Sequence, residues 1–190
     1  MSEQQLDILG ICGSLRRGSY NLKLLEAARE LAPPGMSIEI CTLHDIPMYS
    51  PDIEKAGIPP VVAQFKERIA AADGVLVATP EYNYGIPGAL KNAIDWFSRP
   101  AGGSPLRFKP VALMGASTGN FGTVRAQMVL RQIFLYTRSY AMLEPEVTVF
   151  KVQQRFDESG RLTDEPTREF VSGLLAALAE WIRECQDRGG

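Results

Sequence analysis

The order in which apolar and amphipathic segments follow one another is the feature that most constrains the fold of this chain. Five short apolar runs alternate with longer segments whose apolar residues recur with helical period, which is typical of βαβ units and a mostly parallel sheet. The first, third and fourth runs are apolar almost throughout, as expected of interior strands covered on both faces. The predicted strands are 6–12, 37–43, 74–79, 111–116 and 147–150.

The helical segments complete an α/β domain. Pro87 stands at one predicted helix start, where a missing N–H costs nothing. The predicted helices are 21–31, 59–72, 87–97, 122–137 and 165–186. Five strands and five helices match a single domain over residues 1–190 with a five-stranded parallel sheet of order 2-1-3-4-5 between two helical layers. In this order ligands bind beyond the carboxyl ends of the strands, next to the first and third.

Composition excludes several classes of function. The net charge of -2 has interspersed signs and gives no basic stripe for nucleic acid. No long apolar segment predicts a membrane span or a signal peptide, so we expect a cytoplasmic protein that contacts no membrane. The cysteines Cys12, Cys41 and Cys185 are widely spaced and are interpreted as buried thiols, and the single histidine, His44, cannot build a metal site.

The loop after the first strand reads CGSLRRGSYN, residues 12–21. It matches neither GxGxxG nor a Walker loop. Its side chains Ser14, Arg16, Ser19 and Asn21 offer donors, and the following helix offers backbone N–H groups that favour an anion. The loop therefore predicts a phosphate site. The alternative is a solvated turn in which Ser19 or Asn21 caps the helix.

The loop after the third strand reads TPEYNYGIPG, residues 79–88. Tyr82, Asn83 and Tyr84 stand between proline and glycine residues at the end of an apolar strand. Two aromatic rings and an amide suit a flat ligand ring with a polar edge. A tyrosine-rich turn over the core is the alternative.

The loop after the fourth strand contains GASTG, residues 115–119, a formal match to the GxSxG motif of serine hydrolases. That motif needs a later histidine, and His44 precedes the serine. We therefore interpret the loop as a glycine-rich turn in which Gly119 and Gly122 let the backbone approach the edge of a ligand.

These three motifs, GSLRRGSYN, TPEYNYGIPGALKNAIDW and GASTGNFGTVRAQ, resemble those of the NAD(P)H-dependent FMN reductase family, which includes quinone and chromate reductases and azoreductases. The resemblance extends from Asp7 to about Gln154. It implies a flavodoxin-like three-layer sandwich, non-covalent FMN, NADPH or NADH as co-substrate, and a homodimer or homotetramer.

The resemblance also implies which residues hold the cofactor. Ser14, Arg16, Ser19 and Asn21, with Tyr20 among them, would hold the phosphate, and Arg17 would be a solvent-facing neighbour. A second group would border the isoalloxazine, namely Pro80, Glu81, Tyr82, Asn83, Tyr84 and Gly85. A third would approach its pyrimidine edge, namely Ser117, Thr118 and Gly119.

The chemistry implied is a ping-pong cycle in which hydride passes from NAD(P)H to flavin N5 and electrons then pass to a quinone, azo compound, free flavin or chromate. No catalytic side chain is expected, because the cofactor carries the electrons. A flavodoxin-type electron carrier without nicotinamide chemistry, or a flavin-binding regulator, is the alternative. Arg99, Arg107 and Lys109 are candidates for contact with the 2′-phosphate of NADPH, with a solvated loop as an equal alternative. The stretch 128–143 could be an interface, although a core-facing helix explains most of it.

Overall fold

A single parallel sheet organises the chain in the computed structural model, which describes residues 5–188. Its strands follow the order β2-β1-β3-β4-β5, and β6 also pairs with β4. All pairings are parallel. The strands are β1 (Leu6–Cys12), β2 (Met36–Thr42), β3 (Gly74–Ala78), β4 (Pro110–Ala116), β5 (Tyr140–Ala141) and β6 (Val147–Val149).

Helices cover both faces of this sheet. On one face α1 and α6 pack on inward-facing residues of β1, β3 and β4, and on the other α3, α4 and α5 pack on the alternate residues of the same strands. The helices are α1 (Tyr20–Glu30), α2 (Pro51–Ala56), α3 (Pro60–Ala71), α4 (Gly88–Phe97), α5 (Val124–Thr137) and α6 (Glu165–Arg188), with 3-10 turns at Ala101–Gly103 and Val152–Gln154. The predicted three-layer architecture and strand order are confirmed.

The edge of the sheet beside β4 differs from the prediction of one fifth strand. The start of β4 pairs with β5 at Tyr140 and Ala141, whereas its end, from Met114 onward, pairs with β6. Pro145 lies between these two short strands and has no N–H to donate to a continuous ladder. The fifth position is therefore shared by two strands.

One helix, α2, was not predicted. It buries none of its residues and so lacks the apolar period by which helices are recognised. Its local signals are the hydroxyl of Ser50, which accepts a hydrogen bond from the Asp52 N–H, and Pro51 in its first turn. Among residues 5–188 no helix is long and apolar enough to cross a bilayer.

Candidate active site

The loops that follow β1, β3 and β4 enclose a cavity of about 250 Å³ at the carboxyl ends of these strands. This is the place predicted from the strand order. Ten predicted site residues line it: Ser14, Arg16, Ser19, Tyr20, Asn21, Pro80, Glu81, Tyr82, Ser117 and Thr118. Ala116 and Val152, which the sequence analysis did not identify, complete the wall.

The loop after β1 is shaped by its own hydroxyl groups. The buried Ser14 accepts a hydrogen bond from the Arg16 N–H at 3.2 Å, and the buried Ser19 accepts one from the Leu22 N–H at 3.3 Å. Ser19 is therefore the N-cap of α1 as well as a residue of the cavity wall. Arg16 is exposed and has no carboxylate within ion-pair distance among the described residues.

The Asn21 side chain bonds to the end of β4, and its expected contact with a phosphate stays a prediction. Its amide nitrogen donates to the Ala116 carbonyl at 2.9 Å, and its amide oxygen accepts from the Ala116 N–H at 2.8 Å. Because both amide atoms of this buried side chain are bonded to the backbone of β4, the side chain joins α1 to the end of that strand. Its backbone N–H stays in the first turn of α1, which faces the cavity.

The loop after β3 forms a tight two-residue turn. Tyr82 and Gly85 exchange two backbone hydrogen bonds, at 3.0 and 2.9 Å. The central residues Asn83 and Tyr84 both have positive φ, 49° and 65°, which is the conformation of a type I′ turn. Tyr82 lies on the cavity wall, but Asn83, Tyr84 and Gly85 do not, and their contact with a flavin stays a prediction.

Glu81 connects this turn to α5. One oxygen of its carboxylate accepts from the backbone N–H groups of Arg125 and Ala126, at 3.0 and 3.2 Å, and the other accepts from the Arg125 guanidinium at 3.0 Å. The carboxylate thus satisfies free donors in the first turn of α5. The guanidinium also lies 3.9 Å from the Tyr84 ring and 4.7 Å from the Phe121 ring.

Arg125 was not predicted as a site residue, although it lies within the third motif, GASTGNFGTVRAQ. The signal available was its place in the first turn of the predicted helix 122–137, together with the single carboxylate in the loop 79–88. A guanidinium there can stack on aromatic rings and pair with that carboxylate at once.

The loop after β4 is fastened to the segment after β6. The Ser117 N–H donates to the Val149 carbonyl, and the Val152 N–H donates to the Ser117 carbonyl. The Gly119 N–H donates to the Ser117 hydroxyl at 3.0 Å. Gly119 is not among the residues that line the cavity, and its approach to the flavin stays a prediction. Val152 reaches the cavity wall because it lies in this segment, and no polar motif in the sequence predicts its position.

Gly115 allows the close packing beneath this loop. A Cβ atom at this position would overlap the Thr123 hydroxyl and the Thr79 carbonyl oxygen. Gly122 has a φ of 59° and packs on Thr148 of β6, and its predicted approach to a ligand edge stays a prediction.

The cysteines take no visible part in the site. All three cysteine side chains are buried, as predicted. Desolvation raises the pKa of Cys12, whose sulfur lies 3.9 Å from the Ser19 hydroxyl, and it raises the pKa of Cys41 to about 12. Both thiols are therefore neutral at physiological pH. Among residues 5–188 no group of acidic, histidine or cysteine side chains could hold a metal ion.

The donors around the cavity fit the phosphate of FMN. The N-terminal turn of α1, Arg16 and the hydroxyls of Ser14 and Ser19 line the cavity, which is a suitable set for a dianion. Tyr82, which is 52% exposed, adds an aromatic surface from the loop after β3. The geometry therefore combines an anion site with a place for a flat ring.

The family description NADPH-dependent FMN reductase matches residues 6–154. The chain belongs to this family. It is 49% identical to an NAD(P)H-dependent FMN reductase from Pseudomonas aeruginosa, over 94% of this chain and 96% of that protein. It is 39% identical to a quinone reductase from Escherichia coli K12, over 96% of this chain and 98% of the relative.

A solved structure in this family has the same fold. FerB, a flavoenzyme NAD(P)H:(acceptor) oxidoreductase from Paracoccus denitrificans, superimposes with a TM-score of 0.86 at 35% identity, covering 94% of this chain and 98% of that one. The protein is an NAD(P)H-dependent flavin oxidoreductase that uses FMN. The expected enzyme class is confirmed, and the alternative of an electron carrier without nicotinamide chemistry is not supported.

Proposed function

We propose that this FMN reductase passes electrons from NAD(P)H to small or flat acceptors, with quinones as the principal class and azo compounds, free flavin and chromate as further acceptors. The observation that carries the proposal is the cavity where an anion-binding loop meets the exposed ring of Tyr82. A flat acceptor can stack in such a place without a dedicated pocket. Relatives named quinone reductase, among them the Escherichia coli protein, support this choice.

The residues divide by task. Arg16, Ser14 and Ser19 would bind the FMN phosphate together with the backbone N–H groups of Tyr20 and Asn21. The segment from Pro80 to Gly85 would border the flavin ring, with Tyr82 nearest, and Ser117, Thr118 and Gly119 would lie at its pyrimidine edge. FMN would supply the two-electron chemistry when bound, and these residues position it and keep its ring face open. No side chain is assigned a proton transfer.

The first experiment distinguishes a nicotinamide-dependent reductase from an electron carrier that does not oxidise nicotinamide. FMN-loaded protein is mixed anaerobically with NADPH or NADH, and the flavin absorbance is followed before and after 1,4-benzoquinone is added. We expect the blue flavin band to bleach with nicotinamide and to return with quinone. A band that stays bleached would reject quinones as acceptors, and a band that never bleaches would reject the reductase reaction.

A matched pair of arginines tests the phosphate site. Arg16 lines the cavity, whereas its exposed neighbour Arg17 does not. Because a hydrogen bond to a charged group is worth about 1.5–3 kcal/mol, Arg16→Ala should weaken FMN binding about ten- to a hundredfold, and Arg17→Ala should change it little. Equal affinities of the two variants in a fluorescence titration of FMN would remove Arg16 from the site.

We also propose that the chain works as one FMN-binding domain that assembles into homodimers or homotetramers in the cytoplasm. Exposed apolar side chains on and after α5, including Met128, Leu135, Tyr136 and Leu143, form a surface suited to a second copy. Light scattering of the purified protein tests this assembly. A monomer at micromolar concentration would refute it.

A further inference from the structure

A second cavity lies at the amino ends of the strands, opposite the carboxyl ends where the candidate active site lies. It measures about 370 Å³ and is formed by the segment after α4, the loop before β4 and the end of α5. Its wall consists of Ser98, Arg99, Gly102, Ser104, Arg107, Tyr136, Thr137 and Arg138. The seven residues of β4 separate the amino and carboxyl ends of this strand by about 20 Å, at roughly 3.3 Å per residue. The two cavities are therefore distinct.

Three arginines meet in this cavity, and no carboxylate lines it. Among the described residues, Arg99, Arg107 and Arg138 have no ion-pair partner, although seven ion pairs occur elsewhere in the protein. The Nε atom of Arg99 is buried without a hydrogen-bond acceptor in this part of the chain. Unpaired guanidinium groups on one concave surface are uncommon in a chain of net charge -2 and favour a bound anion.

Two of the arginines are positioned by aromatic rings. The guanidinium of Arg107 lies 4.7 Å from the Phe108 ring, and that of Arg99 lies 5.5 Å from the Tyr49 ring. A ring face holds a guanidinium in place without using its N–H donors in the plane. Arg99 also hydrogen-bonds to the Tyr49 side chain, so its remaining donors and those of Arg107 stay available to a ligand.

Arginines often follow helix ends because they bond the last carbonyl groups, but α4 does not need them for this purpose. Its last carbonyls, at residues 94–97, already accept hydrogen bonds from the Ser98 and Arg99 backbone and from the hydroxyls of Ser98 and Ser104. The Arg99 side chain is therefore left free by the helix end beside it.

Two residues beside this cavity have positive φ angles and are joined by a backbone hydrogen bond. Phe108 and Arg138 both have positive φ, 62° and 59°, and the Phe108 N–H donates to the Arg138 carbonyl at 2.8 Å. At Arg138 this is the left-handed conformation with which many helices end, and the hydrogen bond from Phe108 joins it to the loop before β4. This bond fixes Arg138 against the loop that carries Arg107.

We propose that this cavity is a second anion site, which binds an oxyanion of the phosphate or polyphosphate type, free or carried by a small molecule. Three guanidinium groups neutralise two or more negative charges, and their planar donors match phosphate oxygens. The site is independent of the flavin cavity and of the electron acceptor. Lys109 does not contribute, because its ammonium donates to the carbonyls of Ala70 and Ala72.

The test uses inorganic pyrophosphate titrated by calorimetry into FMN-loaded protein in a phosphate-free buffer. The variants are Arg107→Gln and Arg138→Gln, and the control is Arg29→Gln, an exposed arginine in the last turn of α1 that lines no such cavity. We expect saturable binding to the wild type and the control, and affinity about tenfold or more lower in each cavity variant.

Three results would overturn the proposal. One is the absence of saturable binding to the wild type, and another is an equal affinity of all four proteins. The last is release of FMN during the titration, seen as a rise in free flavin fluorescence, because it would place the pyrophosphate in the flavin cavity. Circular dichroism spectra that match the wild type would show that the variants are folded.

Discussion

Replacement of Asn21 by alanine tests whether this side chain is structural, as its two bonds to Ala116 indicate, or a direct ligand of the phosphate. The change removes the partners of one buried N–H and one buried carbonyl at the end of β4. Each unpaired group costs about 1–3 kcal/mol. Water that enters from the adjoining cavity can pair with one of them, which favours the lower half of the total, about 2–4 kcal/mol.

Such a loss is a large fraction of the roughly 5–15 kcal/mol that stabilises a typical protein. It is measured by urea unfolding of the apo protein, followed through the fluorescence of the buried Trp96. At about 2 kcal/mol per molar urea, the midpoint should fall by about 1–2 M. Arg16→Ala is the control, since this exposed side chain should affect FMN affinity and leave the midpoint unchanged. A wild-type midpoint for Asn21→Ala would refute the structural role.

Two further changes probe the supports of the site, and a third tests the carboxylate of Asp164, which immediately precedes α6. Gly115→Ala should destabilise the protein by about 1–3 kcal/mol, because the new methyl group overlaps the Thr123 hydroxyl, and a wild-type urea midpoint would contradict this packing. Glu81→Gln should lower the free energy of unfolding by about 1 kcal/mol through loss of charge at the start of α5, which thermal melting of the apo protein measures. The Thr167 hydroxyl donates to Asp164 and holds the pKa of this carboxyl below its usual value. The ionised carboxylate therefore stabilises the folded protein above about pH 4, and this stabilisation is lost as the pH falls through the lowered folded-state pKa. Asp164→Asn should therefore flatten the acid limb of the pH-stability curve, and an unchanged limb would contradict the assignment.

The fold and the location of the site were predictable because they depend on patterns within short segments. Apolar runs predicted the interior strands. The strand order then predicted that the loops after β1, β3 and β4 meet at the carboxyl ends of these strands. That the loops enclose one cavity follows from topology alone. The side-chain partners within it do not, because an amide such as that of Asn21 can bond to any nearby group, and its partner lies 95 residues away.

Other features lacked a local signal. Val152 reaches the cavity only because β6 pairs with the end of β4 and directs the next segment across Ser117. On α5, both faces carry apolar residues, so the sequence suggested mainly core contacts; the structure buries Leu130 and Phe134 but exposes Met128 and Tyr136. Periodicity cannot decide which of two apolar faces the sheet will cover.

The bonds that Asn21 and Glu81 make to backbone groups have an evolutionary consequence. Their partners are main-chain atoms of Ala116, Arg125 and Ala126, which are present whatever side chains occupy those positions. Selection can therefore act on each polar residue without requiring a compensating change at its partner. The bonds of Asn21 to Ala116 and of Glu81 to Ala126 would therefore leave little covariation between these positions in related sequences, in contrast to the ion pair between the Glu81 and Arg125 side chains.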